Sequence, residues 1–509
     1  MRTMSKKELE RIALLRSQIE KAEEERALSG FFEKCRENEE FYLGMQWQDN
    51  DGEGLEKPVF NVIRQISNYL ISSLVSNEYA ISYSLDGAPP YRRTSSAKAT
   101  LEALSRHISF CADKETKSAL LSSLVHDAIL YGSGVLYTYW DSSVDNGDGY
   151  FGAFRTETLH PTALFPALPE CEDVQKQPYL IIKGKQTVGE LVRELLSHGG
   201  EASRAVELME RYGEEGEHTC VPTYLRLQKD TLAKKIDFIK LCGEVIVCEG
   251  RMDMERYPIA VYSPSPKSHS FFGYSYVESM VPNQRYVNKA YALLMKHMQD
   301  TAFSKVIYDA SRIPDWSATP GEAVAAHGGG NLSDCVSVVG CGELSDGYME
   351  LIETVLEQTR YLFGANDTAL GNAEPQNTSA ILAMKESASG QLREAHVRLA
   401  KAIEEQAYIW AEMVCANVGE GRYVSFGNGE GKEKVDFSTL KRSLLRCRVD
   451  VSDKSRFGSS VSLSVLNLLL EKGVISPKEY VSRLPEGIIP DKDSLLLTLS
   501  ATPQIEAAV

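Results

Sequence analysis

The chain lacks the residue spacings from which common chemical sites are built. Its ten cysteines include no CxxC pair. Cys242/Cys248 and Cys335/Cys341 stand too far apart for a zinc knuckle and have no histidine at ligand spacing. Thiols dispersed in this way read as reduced and mostly buried in a cytosolic protein. The nine histidines are scattered; His107, His126, His297 and His396 fall within expected helices, and no HExxH occurs. YGSGVLY at 131–137 has two glycines but no GxGxxG, and it precedes a strand rather than a helix, so it reads as a turn. GNGEGKEK at 427–434 is no phosphate loop, because Glu433 follows Lys432 where a hydroxyl is needed and would repel phosphate. HGGGN at 327–331 has no GxSxG nucleophile to serve. Glu170, Glu172 and Asp173 read as a solvated acidic cluster. No catalytic constellation, cofactor site or metal site emerges, and the expectation is a protein that is not an enzyme.

Positive charge is also scarce. Lys and Arg number 55 against 71 Asp and Glu, a formal charge of −16. That argues against tight general nucleic-acid binding, which needs clustered cations against phosphate. No run approaches the ~18–20 apolar residues of a membrane span. The opening MRTMSKKELERIALLRSQIEKAEEER has no apolar core of a signal peptide, so synthesis and use in a cytoplasm are expected. No fixed-period repeat appears, which excludes a solenoid.

What is present is ordinary in bulk and distinctive in order. At 509 residues the chain is long enough for two or more cores, and 43% apolar with 25% charged residues is usual for a soluble protein. Residues 5–38 predict a charged helix with the narrow stripe Leu9, Ile12, Leu15 and Ile19. Phe41, Tyr42 and Trp47 around Gly44 form an aromatic knot, before a helix over 62–74 and a strand over 80–85. Residues 92–131 read as helical, 135–141 as a strand entering a hairpin, and 157–169 as extended. Residues 185–212 read as helical again, and 224–248 as short strands around a Gly243-Glu244 turn. The first 280 residues therefore predict an α+β domain with helices and antiparallel strands segregated.

The stretch 281–418 organises the rest. A helix begins at Val281 with Pro282 in its first turn, where a missing N–H costs nothing. A compact insert, 304–345, carries the turn-formers of SRIPDWSATPG. A second helix places Tyr348, Leu351, Ile352, Val355, Leu356, Leu362 and Phe363 mostly on one face and stops at Gly364. After the polar loop ANDTALGNAEPQNT, a helix from Ser379 to Asn417 spans roughly 55–60 Å, with a bend expected at Gly390. Residues 419–433 read as a Gly-rich loop, 443–451 as a strand, 459–471 as a helix closed by Gly473, and 492–499 as a last helix. Ser476-Pro477-Lys478-Glu479 is a capping box with proline at the first helical position.

Taken in order, these segments resemble the portal (head-to-tail connector) proteins of tailed bacteriophages. FYLGMQWQ with KPVFNVIRQISNYLISSLVSNEYAISYSL resembles the opening of that family's wing, and HDAILYGSGVLYTYWD its helix–turn–strand segment. FFGYSYVESMVPNQRYVNKAYALLMK, with Gln284 and Asn288 in the expected places, resembles the entry to the first stem helix. NAEPQNTSAILAMKESASGQLREAHVRLAKAIEE resembles the tunnel loop and long kinked helix, and VDVSDKSRFGSSVSLSVLNLLLEKGVISPKEYV the passage to the crown. The resemblance runs nearly end to end and implies a helix-rich α+β portal fold. Wing would be 1–280 and 380–452, stem 281–303 and 346–364, clip 304–345, tunnel loop 365–379 and crown 453–509.

It further implies a ring of about twelve subunits at one capsid vertex of a virion assembled in the bacterial host cytoplasm. Double-stranded DNA would pass through it during packaging and ejection without sequence specificity. Terminase large subunit, capsid or scaffold proteins and later head-completion or tail adaptor proteins would be its partners, with no membrane and no cofactor. On this reading Glu350, Glu353 and Glu357 face the channel, with Arg360 as a sparse positive ring. Asn366, Asp367, Thr368, Asn372, Glu374, Gln376 and Asn377 form the constriction, and Arg312, Asp315 and Trp316 the docking tip. Trp316 equally suits a small core of the insert. The competing readings are a cytosolic α+β enzyme with an unrecognised site and an adaptor or scaffold offering a long helix.

Overall fold

The computed structural model describes residues 6–47, 55–85, 95–114, 117–145, 151–213, 216–302, 305–316, 323–339, 347–365, 378–418, 422–426, 430–435, 445–453 and 456–484, with Phe437, Leu440 and Leu495. The elements of the first part are α1 (Lys6–Leu28), α2 (Phe31–Leu43), α3 (Val62–Val75), β1 (Asn77–Leu85), α4 (Ser95–Lys114), α5 (Lys117–Tyr131), β2 (Gly134–Asp145) and β3 (Phe151–Leu159). They continue as β4 (Leu164–Pro166), β5 (Tyr179–Thr187), α6 (Val188–Ser197), α7 (Ala202–Tyr212), β6 (Cys220–Asp230), β7 (Lys235–Cys242), β8 (Val245–Met252) and β9 (Ile259–Tyr262). Then come α8 (Tyr276–Ala302), β10 (Lys305–Tyr308), β11 (Val336–Val339), α9 (Gly347–Leu362) and α10 (Thr378–Asn417). Last are β12 (Arg422–Phe426), β13 (Glu430–Val435), β14 (Leu445–Asp453), α11 (Arg456–Glu471) and α12 (Pro477–Arg483).

Every sheet is antiparallel, as expected of an α+β chain. The largest runs β4-β5-β6-β7-β8. Alternation along β7 sends Ile239 and Leu241 to one face, where Ile12 and Leu15 of α1 cover them. Cys242 points to the other face, where α6 and α7 bury Val188, Leu191, Leu195 and Leu208. The expected stripe on α1 thus docks, although Leu9 stays exposed. A second sheet, β3-β2-β9, carries the main core together with α3, α5, the start of α8 and the C-terminal half of α10. Trp410 of α10 stacks on Phe154 of β3 at 5.4 Å and donates its Nε1–H to Thr156 Oγ1 at 2.9 Å. β1 pairs with β14, Leu85 opposite Leu445, so a strand from residue 77 onward and the returning strand close one ladder.

Five expectations need correction. The single helix over 5–38 is two, because Gly30 adopts φ 67 between α1 and α2, a conformation that costs glycine little. Residues 185–187 are the end of β5; Thr187 then caps α6 through a complete capping box with Glu190. The helix expected from Val281 begins at Tyr276, with Ser275 Oγ accepting from Val277 N and Glu278 N, and Pro282 sits in its second turn. The expected loop 419–433 contains a hairpin, Arg422 opposite Val435 and Phe426 opposite Glu430. The helix read over 185–212 is also divided, into α6 and α7. Gly132 packs so closely on Gly273 that a Cβ would lie 2.4 Å from its carbonyl oxygen, which is why that turn needs glycine. α10 runs unbroken through Gly390 for 40 residues, about 60 Å. The Ser476 capping box at α12 is complete. The helix expected over 492–499 falls, apart from Leu495, outside the described residues.

Candidate functional site

The paired helices α8 and α9 leave the body together. Their root is a buried chain of amides. Gln284 Oε1 accepts from Val62 N at 3.0 Å, and its Nε2 donates to Phe60 O at 2.8 Å and Asn288 Oδ1 at 2.9 Å. Asn288 Nδ2 donates to Gln46 Oε1 at 2.8 Å, and Gln46 Nε2 to Phe41 O at 2.9 Å. All three amides are buried, and buried polar groups satisfied in this way fix one geometry. Asn283 Nδ2 donates to Thr359 Oγ1 at 2.9 Å, tying α9 to α8. Past Ala292 no residue of α8 whose side chain is described is buried.

α9 has three faces, following the ~100° turn per residue of a helix. Ile352 and Thr359 are its only buried residues. On one flank Tyr348, Leu351 and Leu362 are 61%, 48% and 71% exposed. On the other flank Glu350, Glu353 and Glu357 are exposed and share a face at i, i+3, i+7. The expected apolar face therefore splits between a seam against α8 and a ridge in solvent. Arg360 turns aside: its Nη2 donates to Gln65 Oε1 of α3 at 3.3 Å. α9 ends as expected at Gly364, φ 68, with Ala365 N donating to Arg360 O at 3.0 Å. Asn366, Asp367, Thr368, Asn372, Glu374, Gln376 and Asn377 lie outside the described residues.

The insert between the helices is a small hairpin with its own closure. β10 and β11 place Val306 opposite Val338 and Tyr308 opposite Val336. Ile313 and Cys335 are buried, while Ile307 and Val338 are 60% and 59% exposed. Trp316 stacks on Tyr308 at 4.9 Å, nearly parallel, and keeps 38% of its surface exposed. It serves the insert's own packing and still offers a free face. Arg312 is used internally, since its Nη2 donates to Gly329 O at 2.8 Å and so holds the glycine run of HGGGN. Asp315 is exposed beside Trp316. Sequence reasoning missed Tyr308 as the partner of Trp316; the Lys-Val-Ile-Tyr run at 305–308 has the β-branched and aromatic content of a strand.

Among the described residues no three His, Cys, Asp or Glu side chains gather to hold a metal ion. Nine cysteines are described and all are free thiols. No helix among the described residues is long and apolar enough to cross a membrane. The arrangement is one of surfaces: a carboxylate flank, an apolar ridge and an aromatic tip. A family model described as phage P22-like portal protein matches residues 187–454, from the end of β5 to just past β14. No curated protein matches the chain.

Proposed function

Since the chain belongs to the family of phage P22-like portal proteins, we propose that it forms a dodecameric ring at one vertex of the procapsid and conducts double-stranded DNA. The observation that carries this reading is the division of α9 into a carboxylate flank and an apolar ridge. A closed ring gives each copy two different faces to bury against its neighbours. The ridge of Tyr348, Leu351 and Leu362 suits such burial, because large apolar side chains left exposed along one helix flank are what an association site offers. Glu350, Glu353 and Glu357 then turn toward the bore. Cations there would release counterions from the duplex and act as brakes, whereas carboxylates keep DNA off the wall within a Debye length of ~10 Å.

In this reading residues 1–280 and 380–452 are the wing, 281–303 and 346–364 the stem, 304–345 the clip and 453–509 the crown. The loop 365–379 is the constriction, and the clip tip receives terminase and later the adaptor proteins. The role is structural and needs no chemistry of its own. Electron microscopy of the purified protein tests it first: rings with a central aperture are expected, and a compact particle without one refutes the reading. Within rings, substituting Lys at 350, 353 and 357 together is expected to slow DNA packaging steeply in low salt and less in high salt. Deletion of Asn366 to Asn372 is expected to leave rings intact and impair packaging; normal packaging would remove the loop from the DNA path.

A further inference from the structure

The elbow between α1 and α2 encloses a cavity of about 550 Å³ that the conduit does not use. At its wall lies Arg26, only 9% exposed. Its Nη2 donates to the carbonyls of Pro161 at 2.8 Å and Leu164 at 3.1 Å. The guanidinium carbon sits 4.1 Å from the Phe31 ring centre and 3.9 Å from that of Phe272. Nε is buried without a hydrogen-bond partner. No carboxylate pairs with Arg26 among the described residues. Burial lowers its pKa to about 10, so it remains charged at neutral pH. The neighbouring Cys35 thiol, pushed by burial to about 12, supplies no negative charge.

A buried cation without a counter-ion is costly, and protein interiors normally pair one. The acids around the cavity are already engaged: Glu25 faces Lys21 at 3.6 Å and Glu278 faces Lys34 at 2.6 Å. Lys267, exposed at the rim, has no ion pair among the described residues. Part of the wall is aromatic and proline surface from Phe165, Pro166, Pro169 and Phe272, and Ser29, Asn38 and Ser270 add polar groups. A buried cation in the wall, an exposed lysine beside it and an aromatic and proline patch describe a site for a carboxylate carried next to an apolar group.

We propose that this cavity binds an acidic peptide segment of a partner protein, its carboxylate meeting Arg26 and Lys267 and an adjacent apolar side chain filling the Phe/Pro wall. Free phosphate would leave that wall wet. Nucleic acid needs a track of cations, and here two carboxylates stand among them.

The test uses the full chain and a fluorescein-labelled, C-terminally amidated peptide, Ser-Gly-Leu-Phe-Glu, followed by anisotropy. Saturable binding is expected, with the Gln counterpart weaker by about tenfold or more, the scale of a charged hydrogen bond. Arg26→Met, which keeps much of the stacking volume, is expected to weaken binding by a similar factor, and Lys267→Ala by about two- to threefold, as befits an exposed pair. Inorganic phosphate is not expected to compete. Equal affinity for the Gln peptide, competition by phosphate, or no saturable binding at millimolar peptide overturns the proposal. If Arg26→Met fails to fold, the Gln peptide and Lys267→Ala decide the matter, since Lys267 contributes nothing to the core.

Discussion

In the C-terminal half of α10, Leu399, Ala407, Ile409, Ala411 and Val414 are sealed from solvent, packed on two sheets and two helices. In α9, sixteen residues long, only Ile352 and Thr359 are buried, and the exposed positions include Tyr348, Leu351, Tyr361 and Leu362. Both helices are amphipathic by sequence, yet one spends its apolar face inside its own chain and the other holds part of it outside. Periodicity reports that a face is apolar; it does not report which molecule covers it. The body carries its own core, while the helical pair is rooted in the body and leaves large apolar side chains such as Tyr348, Leu351 and Leu362 exposed.

The sharpest way to break that comparison is to delete one large side chain in each region. Trp410→Ala removes a ring stacked on Phe154 and leaves Thr156 without its indole donor. Its expected cost is about 3–5 kcal/mol in denaturant unfolding, the range for a buried tryptophan. Leu351→Ala is expected to change the unfolding free energy of the chain by less than ~0.5 kcal/mol, as for exposed sites, while lowering ring yield in sedimentation. A loss at Leu351 as large as at Trp410, with assembly unaffected, would place the ridge inside the chain's own core.

A second variant sharpens the comparison at the joint between the regions. Gln284→Leu keeps roughly the volume but removes the acceptor for Val62 N and the donor to Phe60 O and Asn288. The expected cost is about 1–3 kcal/mol, because buried groups on α3 and α8 lose their partner. Hydrogen exchange should quicken in α8 and α9 and stay unchanged across β5 to β8. Uniform acceleration would mean that the helical pair and the body unfold as one unit.

Much of this architecture was legible because its signals are local. The Gly364 stop, the Gly243-Glu244 turn and the Ser476 capping box each act within a few residues and are found where expected. The failures have local signals of a competing kind. β5 runs directly into α6, so no turn residues separate strand from helix; Thr187 with Glu190 was the available mark. Pro282 suggested a helix start, yet Ser275 caps the helix earlier. Asn428-Gly429, a hairpin dipeptide, lies between β12 and β13 in a stretch read only for its glycines and charge. The site was legible in part. Spacing alone puts Glu350, Glu353 and Glu357 on one face, whereas the direction of Arg360 depends on Gln65 of α3. Such a contact, far off in sequence, leaves no trace in a local pattern.

The smallest expected effect on stability, and the one that separates two roles for a single side chain, is at Trp316. Its stack on Tyr308 is worth about 0.5–1.5 kcal/mol locally. Among the described residues the insert packs chiefly on itself, so Trp316→Ala is expected to leave the main unfolding transition and the ring unchanged. If the exposed part of the indole anchors a partner at the tip, docking of terminase to rings should fall sharply in Trp316→Ala, and Trp316→Phe should restore it only partly. Phenylalanine keeps an aromatic face against Tyr308 but gives up the N–H and the outer ring that reach solvent. Full restoration by phenylalanine would mean that Trp316 serves the hairpin's closure alone, and the docking surface would then pass to the uncovered Ile307 and Val338 beside it.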